Sequence, residues 1–132
     1  MTDDAKVCLV KRLRFADDEP LLLEYSYFRK DVGDRLQNED LTNSIYSLLE
    51  KKFGLVLNRS VNTVEAQLAK EEEAAILGVS EGSPVLVLRR IVYFEEETPF
   101  EYAKDIYRAD RTKFKIRTHQ GHLIEKSPIE SF

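Results

Sequence analysis

A single cysteine, Cys8, stands in this chain of 132 residues. An internal disulfide is thereby excluded, and a reducing compartment fits. Excess positive charge is also missing: 20 Lys and Arg face 24 Asp and Glu, for a net charge of −4. Gripping nucleic acid takes a basic face, so that role does not belong to this stretch of protein. No apolar run approaches the roughly 18 residues of a membrane helix, and the acidic start "MTDDAK" is no signal peptide. A cytoplasmic protein without membrane contact is the expectation. The two histidines, His119 and His122, lie near the C-terminus without cysteines beside them, so no metal site is expected. G-x-S-x-G, the Walker loop and G-x-G-x-x-G are all absent. With them go the usual sequence signs of a nucleophilic serine and of nucleotide binding. Neither a catalytic set nor a cofactor is expected.

What is present is a repeat. "FADDEPLLLEYSYF" (15–28) is echoed by "YFEEETPFEYAKDIY" (93–107). In both, an apolar strand runs into acidic residues, a proline and a second strand. At an offset of 78, Val7 meets Val85, Arg12 meets Arg90 and Phe15 meets Tyr93. Thr98 is then one extra residue, and Phe28 falls opposite Tyr107. The second hairpin is preceded by a strand, a short helix and the "SEGSP" loop, the first only by "MTDDA". The chain therefore reads as starting in mid-repeat, as a fragment of a longer protein.

The elements follow from period and punctuation. "KVCLVKRLRF" and "LLLEYSYF" read as the strands of the first hairpin. "RKDVGDRLQNED" reads as a polar loop with one helical turn. In "NSIYSLLEKKFG", Ile45, Leu48, Leu49 and Phe53 share one helical face. Asn43 or Ser44 can cap that helix and Gly54 can end it. "LNRSVNTVEAQLA" reads as a strand, and "KEEEAAILG" as a short helix with an acidic first turn. "VLVLRRIVYF" and "PFEYAKDIY" form the second hairpin, and "RADRTKFKIRT" holds a last edge strand. One domain over 1–118 is expected, with a poorly ordered tail over 119–132.

Two polar clusters stand out. Strand alternation puts Arg12 and Arg14 on one face. Two guanidiniums so placed repel each other unless an anion lies between them, and arginine's planar fork suits carboxylate or phosphate. A three-residue hairpin loop would set Glu24 across from Arg12, and a two-residue loop would set Leu23 there. The plainer reading is that the arginines pair with carboxylates such as Glu24 on an exposed face. The second cluster, Asn43, Ser44 and Tyr46, sits where a helix start presents unpaired N–H groups to an anion. Its plainer reading is ordinary capping.

Read together, "VKRLRFADDEPLLLEYSYF", "DLTNSIYSLLEKKFGL" and "VEAQLAKEEEAAILGVSEGSPVLVLRRIVYFEEETPFEYAKDIYRADRTKF" resemble the effector-binding (UTRA) domain of GntR-family transcriptional regulators of the HutC type. The matched features are R-x-R, the acidic turn with proline and glutamate, D-L-x-x-S-x-Y, A-x-x-L-G-V-x-x-G-x-P-V-L and Y-R-x-D-R, in order over residues 7 to 114. The resemblance implies an α+β fold of the chorismate lyase-like kind: an antiparallel sheet from internally duplicated hairpins, with helices packed around it. It also implies a homodimer that reaches DNA only through an N-terminal winged helix-turn-helix domain. In sugar-phosphate-sensing members the matching positions line a pocket. They fall on Arg12, Arg14, Glu24, Ser44, Tyr46 and Tyr107, with Arg59 a looser match. The implied ligand is a small anionic metabolite such as a sugar phosphate. The alternative on the same fold is an enzyme of the chorismate lyase type.

Overall fold

The structure, a computed structural model, describes residues 7–42, 44–56, 58–94, 99–119 and 122–127. Asn43 and the second hairpin's acidic loop, 95–98, lie outside the described residues. Five strands form one antiparallel sheet: β1 (Val7–Ala16), β2 (Glu19–Arg29), β3 (Arg59–Leu68), β4 (Pro84–Tyr93) and β5 (Pro99–Arg108). Their order is β1-β2-β5-β4-β3, so the two hairpins join through β2 and β5. The duplicated-hairpin sheet with packed helices is the α+β fold expected from the sequence. The helices are α1 (Lys30–Leu36), α2 (Ile45–Phe53) and α3 (Glu71–Leu77).

The chain divides into two compact units, each threaded by the same strands. The first comprises 1–12, 24–63 and 88–104, and the second 13–23, 64–87 and 105–132.

The first unit holds α1 and α2. Its core joins Phe28, Val32, Leu36, Ile45, Leu49, Val92 and Phe100, with Phe94 stacked on Phe100 at 3.5 Å between ring centroids. Ser44 caps α2, its Oγ accepting from the Ser47 N–H at 3.2 Å. At the other end Gly54 turns left-handed at φ +67°, and its N–H reaches the Glu50 carbonyl at 3.1 Å. Segment 30–36 is a two-turn helix rather than a loop with one turn. Val32 and Leu36 fall four residues apart on a buried stripe, with Gly33 buried beside them. The charges of Lys30, Asp31, Asp34 and Arg35 obscure that stripe in the sequence. At Gly33 a β-carbon would stand 2.3 Å from Cys8 Cβ, so only glycine lets α1 approach β1 this closely.

The second unit holds the first hairpin's turn and α3. Asp17 and Asp18 carry φ of 51° and 64°, a two-residue turn of the type whose twist suits a hairpin. Arg111 bonds Glu19 and lies 3.6 Å from Asp17, holding the turn from the short 3₁₀ segment Ala109–Arg111. In α3, Glu73 accepts from the Lys70 backbone N–H at 3.1 Å, and Gly78 ends the helix at φ +72°. Leu21, Leu23, Leu77, Val85, Val87 and Ile106 are buried. The tail differs from expectation. β6 (Lys115–His119) pairs antiparallel with β7 (His122–Ser127), with a register shift at Arg117/Thr118, so a strand lies within the segment read as unstructured.

Candidate functional site

The D-L-x-x-S-x-Y stretch assigns each of its side chains a task within the first unit. Asp40 accepts from the Thr42 hydroxyl at 2.7 Å and from the Thr42 N–H at 3.0 Å, which bends the chain into α2. Those two bonds hold the Asp40 carboxyl below its usual pKa, the hydroxyl bond first. The Leu41 carbonyl, turned inward by that bend, accepts from Arg12 at 2.9 Å. Ser44 caps the helix. Tyr46, the second residue of α2, donates its hydroxyl proton to Glu101 on β5 and accepts from Arg90 Nε on β4 at 3.1 Å.

Arg12 also donates to Glu24 at 2.8 Å, and Glu24 is only 8% exposed. A two-residue loop alone sets Leu23 opposite Arg12, yet the arginine meets Glu24. Two arginine–glutamate sets thus lie on the helix-facing side of the sheet, Arg12 with Glu24 and Arg90 with Glu101 through Tyr46. Glu101 is 4% exposed, a carboxylate held away from water by its partners. Burial, and then the Glu101 charge, push the Tyr46 phenol well above its ordinary pKa. It stays a neutral donor at any physiological pH.

The residues expected at the site divide. Arg12 and Glu24 meet directly, and α2 carries both Ser44 and Tyr46. Arg59 lies in the same unit with its guanidinium 4.2 Å above the Tyr93 ring. Arg14 and Tyr107 belong to the second unit. Arg14 is half-buried on β1. Tyr107 is buried and makes an edge contact with Phe114 at 5.3 Å. Convergence of Arg14 with Arg12 and the Ser44 helix start remains an expectation.

Sequence reasoning did not select Arg90 and Glu101. Arg90 is the repeat mate of Arg12 and could have been found that way, whereas Glu101 is out of register with Glu24, which falls opposite Ala103 in the repeat. Arg12 of one half reaches the Leu41 carbonyl just before α2, and Arg90 and Glu101 of the other half meet Tyr46 on it.

A family model described as "UTRA domain" matches residues 1–113. The chain belongs to the UTRA domain family. UTRA is the effector-binding domain of GntR-family transcriptional regulators of the HutC type, which confirms the resemblance read from the sequence. The HTH-type transcriptional repressor NagR of Bacillus subtilis is 35% identical over 105 residues, covering 80% of this chain and 43% of NagR. The mannosyl-D-glycerate transport/metabolism system repressor MngR of Escherichia coli is 26% identical, covering 88% of this chain and 48% of MngR. Among solved structures, the possible transcriptional regulator YydK of Bacillus subtilis superposes with a TM-score of 0.81 at 29% identity, covering 88% of this chain and 51% of that one. A GntR-family regulator of Enterococcus faecalis gives 0.77 at 32% identity, covering 85% and 81%. The chain spans about half the length of the curated relatives it matches.

Proposed function

We propose that this UTRA domain is the sensor of a homodimeric transcriptional regulator and that it binds a small anionic metabolite of the sugar-phosphate class beside α2. Binding would alter how winged helix-turn-helix domains, borne elsewhere in the full-length protein, sit on DNA. The observation that carries this reading is the paired arrangement of Arg12 with Glu24 and Arg90 with Tyr46 and Glu101. A purely structural core has little use for two arginines and two nearly buried glutamates against one helix, since desolvating such charges is costly. A polyhydroxylated anion has use for all of them. Guanidiniums and the helix start take its charged group. Carboxylates accept from its hydroxyls.

In this reading Arg12 and the Ser44 helix start hold the anionic group, Glu24 and Glu101 take hydroxyls, Tyr46 borders the ligand and Arg59 lies at the rim. The name of MngR refers to mannosyl-D-glycerate, a sugar joined to an organic acid. That pairing of hydroxyls with one negative charge is the chemistry such a site would select. The test is a thermal-shift panel of hexose and hexosamine phosphates, with the unphosphorylated sugars alongside. A ligand at 100 times its dissociation constant stabilises by about 2.7 kcal/mol. Stabilisation by a phosphorylated sugar but not by its parent supports the reading. Stabilisation only by neutral sugars, or by none of the panel, refutes the sugar-phosphate assignment.

A further inference from the structure

Within the first unit the Arg12 fork is divided between a side chain and the main chain. Nη2 donates to Glu24 at 2.8 Å, and Nη1 donates to the Leu41 carbonyl at 2.9 Å. Both bonds gain from the guanidinium charge. Only a carboxylate or a phosphate adds a second charge and can accept through two oxygens at once. Of the two acceptors, the peptide carbonyl is therefore the one that an incoming anion can replace at a gain. The exchange would take place largely out of water, since the Arg12 side chain is 18% exposed and that of Glu24 10%. Low local dielectric makes the difference between a dipole and a full charge count for more.

Leu41 belongs to the strap 37–42 between α1 and α2, and that strap is fastened along its length. At its start the Glu39 N–H donates to the Leu36 carbonyl at the end of α1, at 3.1 Å. Lys52, in the last turn of α2, places Nζ 2.8 Å from both Glu39 carboxylate oxygens. Thr42 donates twice to Asp40, which braces the turn around Leu41. Leu41 stands only two residues from Glu39, so its carbonyl cannot turn away from Arg12 without moving the Glu39–Lys52 clasp. We infer that the Leu41 carbonyl is a built-in competitor for the anion at Arg12, and that binding exchanges it for the anion and releases the strap from Lys52. The inference rests on the reading that an anion binds at Arg12, and adds how that site selects and reports it. A sugar hydroxyl brings no charge and is no better an acceptor than the carbonyl, so it cannot drive the exchange, whereas an anion can. The report reaches α2, because the strap leads into the Ser44 cap. Coupling of this kind is reciprocal: whatever loosens the strap elsewhere must favour the anion.

Calorimetric titration and carbonyl-carbon NMR with inorganic phosphate test it, with chloride at matched ionic strength as the blank. Lys52 is no part of the proposed ligand site, and its side chain is 56% exposed. Lys52→Ala opens the clasp on Glu39. Removing a positive charge by itself weakens the binding of an anion, so tighter binding comes only from the loosened strap. An exposed ion pair is worth little, and Lys52→Ala should therefore tighten phosphate binding by about two- to fivefold. In the wild type the Leu41 carbonyl-carbon resonance should move upfield as phosphate binds, the direction of a lost hydrogen bond. That of Glu50, which accepts from the Gly54 N–H at the end of α2, should stay in place. Phosphate that binds with the Leu41 resonance unmoved, or that binds Lys52→Ala no more tightly than the wild type, overturns the exchange and leaves the anion site standing. Phosphate that gives no saturable heat with the wild type overturns the exchange as well, and the sugar-phosphate panel then judges the anion reading on its own.

Discussion

Replacing Tyr46 by phenylalanine removes one oxygen and nothing else, and that oxygen stands between two charged groups. It donates to Glu101, which is 4% exposed, and accepts from Arg90 at 3.1 Å. Hydrogen bonds to charged groups are worth about 1.5–3 kcal/mol, and a buried carboxylate left short of a donor costs a similar amount. Arg90 remains nearby to neutralise Glu101 in part, so the expected loss at pH 7 is about 2 kcal/mol. For a chain of this size that lowers Tm by roughly 6–10 °C. The phenol adds a pH signature. Its folded pKa is raised, by burial first and by the Glu101 charge second. Below the unfolded tyrosine value of about 10 both states hold the proton, so the full contribution is present. Above it the unfolded chain loses the proton while the folded chain keeps it, and stability falls with rising pH. The gap between wild type and Tyr46→Phe should therefore be constant from pH 7 to 9. Above about pH 10 it should shrink by up to about 1.4 kcal/mol per pH unit. Urea unfolding of both proteins at each pH reads the gap directly. A gap below about 0.5 kcal/mol at pH 7 refutes the placement of the hydroxyl between Glu101 and Arg90. A gap that keeps its full size up to pH 11 refutes the raised pKa.

Arg12→Ala removes the bonds to Glu24 and the Leu41 carbonyl, so it should cost about 1–3 kcal/mol in urea unfolding. In calorimetric titration with an anionic effector, Arg12→Ala should weaken binding about ten- to a hundred-fold, and unchanged affinity would remove it from the site. Gly33→Ala should cost about 1–3 kcal/mol, because its new methyl meets Cys8 Cβ. Cys8→Ala keeps that atom and should not rescue it, whereas Cys8→Gly should. Incubated with chorismate, the chain should release no pyruvate in a lactate dehydrogenase-coupled assay, and turnover would revive the enzyme reading.

The fold was legible where local chemistry and tertiary structure agree. Ile45, Leu48, Leu49 and Phe53, bounded by Ser44 and Gly54, gave α2 because cap, stripe and left-handed stop all point to the same helix. The repeat at offset 78 gave a joined pair of hairpins. Legibility failed at α1, where Val32 and Leu36 are the only two large apolar side chains among charges, and a glycine sits between them. What lets that segment dock as a helix is Gly33 lying against Cys8 across 25 positions of sequence, a close approach no local window contains. It failed again at the tail, where β6 and β7 stabilise each other by pairing rather than by any period of their own.

The site followed a related pattern. Arg12 and Glu24 were legible together because a hairpin keeps its partners close in sequence. The Tyr46–Glu101 bond, by contrast, spans 55 positions and joins a helix to the other hairpin. The repeat gave only half of the clue: it pairs Arg12 with Arg90, but it sets Glu24 opposite Ala103, so Glu101 was not marked. The duplicated hairpin thus does more than build a sheet. One copy presents an arginine and a glutamate directly, and the other presents the same pair through Tyr46. The two sets differ in a way ligand chemistry can use. Arg12 is committed to the Leu41 carbonyl as well as to Glu24, so an anion recruiting it must loosen the entry to α2. Arg90 donates to the neutral Tyr46 phenol, which in turn donates to Glu101. An anion that recruited Arg12 would perturb the backbone at the entry to α2. The segment that would feel the ligand is the D-L-x-x-S-x-Y stretch leading into α2.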